Sequence, residues 1–95
     1  MITAEERDIV LRYLKPLRPV RVGIFGSYAR GESNKNSDLD ILIQLEENHK
    51  TSLLTLAGIQ QDLTDALGIP VDIVTEKYLS KYIRPFIERD LKYIL

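Results

Sequence analysis

The chain has 95 residues, of which 44% are hydrophobic and 28% charged, a composition typical of one folded globular domain rather than a disordered segment. Thirteen basic and fourteen acidic side chains give a net charge of -1, so we expect no direct nucleic-acid partner. The lack of cysteine excludes disulfides, thiolate metal sites and a cysteine nucleophile, and no apolar run is long enough to span a membrane. We therefore expect a cytoplasmic protein with a single domain over residues 1–95 and no membrane partner.

The first half of the chain predicts a helix, a strand and a short helical turn. Thr3 and Glu6 have the spacing of a capping box at the start of the first helix, and Pro16 and Pro19 end that helix. The short β-branched run Val20–Phe25 predicts the first strand. The segment "SYAR" then predicts a helical turn, and the polar segment "ESNKNS" predicts a loop.

The second half predicts two further strands and two helical regions. The alternating run Asp38–Leu45 predicts the second strand. A long helix follows, with Ser52 as its N-cap and Gly68 at its C-terminal end, and Val71–Thr75 predicts the third strand. The tail is expected to be helical in two pieces, because Pro85 disfavours helical geometry at the residue before it. The predicted fold class is α/β (α+β), with the order αβαβαβα and a small three-stranded mixed sheet.

The stretch "GIFGSYARGESNKNSDLDILI" concentrates residues that suit phosphate and metal chemistry. Ser27 follows the first predicted strand, whereas Asp38 and Asp40 lie at the start of the second. If these residues form one site, the two strands must be antiparallel, and the third strand would pair parallel to the second through a right-handed crossover. Asp72 would then lie level with Asp40. Three carboxylates would meet at one edge of the sheet.

The residue types in this stretch indicate two kinds of ligand. Gly26 and Ser27 lie at a strand-to-helix turn, where backbone N–H groups and a hydroxyl favour phosphate oxygens. Asp38, Asp40 and Asp72 have neither sulfur nor histidine near them, and such oxygen ligands suit Mg²⁺ rather than zinc. Each feature has a structural alternative, since the turn could be only a turn and the aspartates could be solvated charges. Carboxylates on one face, however, repel one another unless a cation lies between them.

Several other residues allow two interpretations. Arg30 could bind nucleotide phosphate or help to pack the turn, and Lys35 could steer the nucleotide or face water. Tyr28 is interpreted as a packed aromatic residue, and His49 as a solvated loop residue without a role. The apolar stripe of the tail should either pack on the sheet or form a surface for a partner or for self-association. It comprises Phe86, Ile87, Leu91, Ile94 and Leu95.

The compound motif resembles a known family signature. Gly26-Ser27, ten intervening residues and Asp38-Leu39-Asp40, flanked by strands, resemble the signature of the DNA polymerase beta-like nucleotidyltransferase superfamily. Within it the chain is similar to the minimal nucleotidyltransferase (MNT) group. The resemblance implies nucleotidyl transfer with two Mg²⁺ ions, in which Asp38 and Asp40 are the shared metal ligands. It also implies that Asp72 binds the second metal and helps to deprotonate the acceptor hydroxyl.

The resemblance further implies a substrate and a partner. MNT proteins are often paired as antitoxins with a HEPN-domain toxin, which implies transfer of AMP from ATP to a tyrosine hydroxyl of that toxin. Two alternatives stay open: a binding module that neutralises its partner by occlusion, and an orphan transferase for a small-molecule hydroxyl. The nucleotide base, the acceptor and the state of assembly, as a homo- or hetero-oligomer, stay open as well.

Overall fold

The computed structural model describes residues 1–95 and contains four α-helices and four β-strands. In chain order these are α1 (Ala4–Leu14), β1 (Arg21–Phe25), α2 (Ser27–Arg30), β2 (Leu39–Gln44), α3 (Leu53–Leu67), β3 (Val71–Thr75), α4 (Arg84–Asp90) and β4 (Lys92–Tyr93). Single 3₁₀ turns follow α1, at Lys15–Leu17, and β3, at Glu76–Tyr78. No helix has the length and apolar character needed to cross a membrane.

The predicted ends of α1 and α3 are confirmed. The Thr3 hydroxyl accepts the backbone N–H of Glu6 at 3.1 Å, and the Glu6 carboxylate accepts the N–H of Thr3 at 2.9 Å, which completes the capping box of α1. Ser52 caps α3 by accepting the N–H of Thr55. Gly68 ends α3 in the left-handed conformation, with φ of 71°, which glycine adopts without steric cost.

The sheet has the strand order β3-β2-β1-β4. β1 is antiparallel to β2, and β2 is parallel to β3, so both orientations required for one site are confirmed. Leu39, Ile41 and Ile43 of β2 are fully buried in the same core as Leu14 of α1 and Leu63 of α3. The helices α1 and α3 thus form a single core with the alternating side chains of the central strand.

The tail has two helical pieces as predicted, the 3₁₀ turn at Glu76–Tyr78 and α4, but it ends in a fourth strand that was not predicted. β4 pairs antiparallel to β1, with Gly23 opposite Tyr93, and the Arg21 guanidinium lies 3.7 Å from the centroid of the Tyr93 ring. The chain approaches β1 closely because Gly23 has no side chain: a Cβ there would lie 2.5 Å from Cδ1 of Leu91. α4 begins at Arg84, although Pro85 was expected to disfavour helical geometry at that residue.

The apolar stripe of the tail is divided between the core and the surface. Ile87 is buried and Ile94 packs against the core. Phe86 and Leu95 are 64% and 54% exposed. The tail is therefore part of the fold, but two of its large apolar side chains remain in water.

Side chains of α3 cover the outer edge of the sheet at β3. The Thr64 hydroxyl accepts the backbone N–H of Val71 at 3.1 Å, and the side-chain Oε1 of Gln60 accepts the backbone N–H of Ile73 at 2.8 Å. These two backbone donors are thereby satisfied although no strand lies on that side.

Candidate active site

The strand register brings the turn and the carboxylates to one edge of the sheet. Phe25, the last residue of β1, lies opposite Asp40, so the chain enters the turn at Gly26 directly beside that carboxylate. Asp40 lies opposite Asp72 of the parallel strand β3. Asp38 lies two residues before Asp40 in the chain. The structure therefore brings together the groups that the motif analysis had assigned to one site.

Gly26 is required by both the backbone and the neighbouring side chain. Its φ of 75° and ψ of -154° lie in a region that residues with a side chain rarely adopt. A Cβ at this position would also collide with Oδ2 of Asp40. The turn and the carboxylate can touch only because Gly26 has no side chain.

The turn after Gly26 presents hydrogen-bond donors. The first backbone hydrogen bond of α2 runs from the Arg30 N–H to the Gly26 carbonyl at 3.1 Å. The N–H groups from Ser27 to Ala29 precede this bond, and such first-turn groups have no partner within their helix. Ser27 is half-buried, while Ala29 is buried and Tyr28 packs against the core, as predicted for that aromatic ring. The turn is thus anchored on one side and offers donors for an anion on the other.

The carboxylates carry negative charge without a compensating cation. Partial burial is the main cause that raises the pKa of Asp40 from 3.8 to about 6, and the charges of Asp72 and Asp38 act in the same direction. The Arg30 charge lowers the pKa of Asp40, but to a smaller extent. None of the six ion pairs of the chain includes any of the three aspartates.

The donor set fits a hard divalent cation, because it consists of carboxylate oxygens, and the charges of Asp72 and Asp38 disfavour the ionised form of Asp40. As the side chains stand, no three acidic or histidine groups are close enough to enclose one ion. Asp38 and Asp72 are exposed.

Arg30 is held by two carboxylates of the chain itself. Its Nε donates to Glu32 at 3.0 Å, and its Nη1 donates to Asp90 at 2.7 Å. These hydrogen bonds, that to Glu32 first, raise the pKa of the guanidinium. These bonds tie Arg30 to the turn and to the tail, and phosphate binding by Arg30 stays a prediction. Sequence analysis missed Asp90, since 60 residues separate it from Arg30 and no local pattern links them.

Two clefts lie away from this edge. One has a volume of about 860 Å³ and lies between residues 44–51 and residues 75–78; the other has about 560 Å³ and lies between α3 and β3. His49, which was predicted to be solvated, lines the first cleft, and its Nδ1 is buried without a hydrogen-bond partner. Lys35 is exposed. Neither cleft includes Asp38, Asp40 or Asp72.

Comparison with known proteins links this arrangement to one family. The family profile described as a nucleotidyltransferase domain matches residues 7–94. The chain is 38% identical over 99 residues to the protein adenylyltransferase MntA of Thermococcus cleftensis, and the alignment covers 99% of this chain and 98% of that protein.

Two solved structures are similar in fold. A toxin-antitoxin crystal structure with AMP-PNP has a TM-score of 0.83 at 22% identity, covering 94% of this chain and 72% of the matched chain. A complex of tri-AMPylated Shewanella oneidensis HEPN toxin with MNT antitoxin has a TM-score of 0.77 at 18% identity. The match covers 96% of this chain and 70% of the matched chain. At these identities the two structures establish similarity of fold alone.

Proposed function

Because this chain belongs to the nucleotidyltransferase domain family, we propose that it is an Mg²⁺-dependent protein adenylyltransferase that transfers AMP from ATP to a hydroxyl group. The observation that carries the proposal is the contact between the Gly26 turn and Asp40, with Asp72 in register beside them. The full-length similarity to a protein adenylyltransferase supports AMP as the transferred group, and the neighbouring structure with AMP-PNP supports ATP as its source.

Each residue of the site has a chemical role in this proposal. The N–H groups and hydroxyl of the turn at Gly26 and Ser27 bind the triphosphate together with Arg30, while Asp38, Asp40 and Asp72 hold Mg²⁺. Two bound Mg²⁺ ions would neutralise the phosphate charge.

The transfer itself exchanges one bond at phosphorus for another. The acceptor oxygen forms a bond to the α-phosphorus as the bond between that phosphorus and the α,β-bridging oxygen breaks. Pyrophosphate leaves with the electrons of that bond, and Asp72 takes the proton of the hydroxyl.

The acceptor in this proposal is a tyrosine hydroxyl of a HEPN toxin, and the chain acts as the antitoxin. The complex of AMPylated HEPN toxin with an MNT antitoxin supports this partner. We place the reaction in the cytoplasm, where ATP is available.

The test is to incubate the chain with ATP, Mg²⁺ and the HEPN protein, and to measure the intact mass of both proteins. The expected result is a gain of adenylate on the HEPN protein. The double variant Asp38→Asn, Asp40→Asn keeps the shape of the site but removes the charge that holds the cation, so transfer should fall at least ~10²-fold. The matched control is Asp62→Asn, the same change at an exposed position of α3, which should transfer normally.

The two alternatives give different outcomes in the same experiment. An occlusion module would leave the mass of the HEPN protein unchanged, and the double variant would still neutralise the toxin at wild-type protein level. An orphan transferase would consume ATP with a small alcohol but would modify neither protein.

A further inference from the structure

Asp90, the last residue of α4, makes the longest-range ion pair at the candidate site. Its Oδ2 accepts from Nη1 of Arg30 at 2.7 Å, and its other oxygen lies 3.6 Å from Nε of Arg89. The Asp90 side chain is only 11% exposed, whereas that of Glu32, the other partner of Arg30, is 66% exposed. A charge-assisted hydrogen bond shielded from water is screened less than an exposed one, so the bond to Asp90 is the better shielded of the two, although Glu32 raises the pKa of Arg30 more.

The two carboxylates leave part of the guanidinium available. A guanidinium carries five N–H donors in one rigid plane. Glu32 uses the donor on Nε of Arg30, and Asp90 uses one of the two donors on Nη1. The second Nη1 donor and both Nη2 donors therefore remain for another anion, and the plane in which they lie is fixed by the two bonds already made.

The position of Asp90 is itself fixed by the close approach of the tail to β1. Leu91, the next residue, occupies the space beside Gly23, and Tyr93 pairs with Gly23 across the two strands. Because β1 leads directly into the turn at Gly26, the Arg30–Asp90 pair joins the tail to the turn.

We infer that Asp90 is a positioning residue of the nucleotide site, which holds Arg30 with three N–H donors directed to the triphosphate of ATP. The inference rests on the proposed function, since it takes ATP as the ligand. It gives Asp90 no contact with the nucleotide, so every effect of Asp90 on ATP must pass through Arg30.

The test is the affinity for ATP with Mg²⁺, measured by calorimetry on the full chain, together with the steady-state KM and kcat for transfer. Asp90→Asn should weaken ATP binding and raise KM about tenfold, as loss of a supporting partner often does, while kcat changes less than KM. The matched control is Glu88→Gln on the same helix, which removes a carboxylate that lies near Arg84 instead of Arg30, and it should bind ATP like the wild type.

A double-variant cycle separates positioning from a general structural effect. In the Arg30→Gln background, Asp90→Asn should cause no further loss of ATP affinity, because the group that it positions is absent. Equal affinity of Asp90→Asn and the wild type, or a further loss in the Arg30→Gln background, would overturn the inference but leave the proposed function standing. Lack of ATP binding by the wild type would overturn both.

Thermal unfolding of each variant shows whether the fold is retained. If Asp90→Asn reduces the folded fraction, Arg30→Lys provides a second test, since lysine keeps the charge but lacks the planar fork that two carboxylates can orient. Arg30→Lys should also bind ATP about tenfold more weakly. Wild-type affinity in this variant would contradict the inference.

Discussion

At Gly26 two independent constraints act on one residue. The backbone has φ of 75°, which disfavours every residue that has a side chain, and a Cβ would collide with the Asp40 carboxylate. The backbone conformation is set by the turn, and the collision would be with a side chain of β2, the next strand. Gly26 thus determines where the Asp40 carboxylate lies as well as how the chain turns.

Gly26→Ala should therefore reduce both stability and activity. Backbone strain of this kind lowers the free energy of unfolding by about 1–3 kcal/mol, and displacement of the Asp40 carboxylate should abolish adenylyl transfer. Gly68→Ala is the matched control, because Gly68 has φ of 71° but a Cβ there would have no neighbour within 4 Å. Urea unfolding and the transfer assay compare the two variants. A Gly26→Ala protein that transfers AMP normally would show that the carboxylate is not held by the turn.

The raised pKa of Asp40 predicts a pH dependence of stability in the absence of divalent cations. A carboxyl group whose pKa rises from 3.8 to about 6 on folding binds its proton more tightly in the folded state, so its contribution to stability is complete below the lower value. That contribution is lost as the pH rises to about 6 and stays lost above it. After allowance for screening, the loss is on the order of 1 kcal/mol.

Urea unfolding in EDTA at about pH 4 and at about pH 7 measures this effect. The wild type should lose stability over this range relative to Asp40→Asn, which has no carboxyl group to titrate there. Asp62→Asn, the exposed control, should follow the wild type. Parallel pH curves for the wild type and Asp40→Asn would show that Asp40 ionises equally well in the folded and unfolded chains.

Single residues of the site could be predicted from the local motif, or, for Asp72, from the strand pairing that the motif requires. The positions of Gly26, Ser27, Asp38 and Asp40 are implied by one stretch of the sequence. The long-range partner of Arg30 is not implied by it, because Asp90 meets Arg30 only after the tail has packed on β1.

Among the elements, those with signals at their own ends were predicted best. α1 and α3 carry a capping box, a serine N-cap and a C-terminal glycine, which act through neighbouring residues. β4 has two residues and no alternating pattern, so nothing in Lys92–Tyr93 alone indicates a strand. It forms because β1 has an open side and Gly23 leaves room there for the returning chain.

Truncation of two adjacent side chains of α4 to alanine should change stability very differently. Ile87 is 8% exposed and Phe86 is 64% exposed. Ile87→Ala should lower the free energy of unfolding by about 2–5 kcal/mol, because it leaves a cavity in the packed tail, whereas Phe86→Ala should change it by less than about 0.5 kcal/mol. Thermal or urea unfolding of both variants is the measurement. Equal losses would mean that α4 does not pack as described.

At the scale of the whole molecule, the requirement that the motif residues meet was enough to predict the strand orientations. An antiparallel β1–β2 pair and a parallel β2–β3 pair are the arrangement that brings the turn, Asp40 and Asp72 together, and this is the observed topology. The fourth strand and the placement of the tail depend on packing between distant segments. Such contacts have no local signature, so the sequence predicts the site better than it predicts what surrounds it.

The covered edge of the sheet limits how this chain can associate with others. With Gln60 and Thr64 bonded to the outer N–H groups of β3, a foreign strand finds no free donors at these two positions. The opposite edge ends in a strand of only two residues. Strand-by-strand growth into fibrils is therefore disfavoured at both edges of the sheet. We therefore expect a partner to recognise mainly side chains, which differ from one chain to the next, so that related proteins can pair selectively.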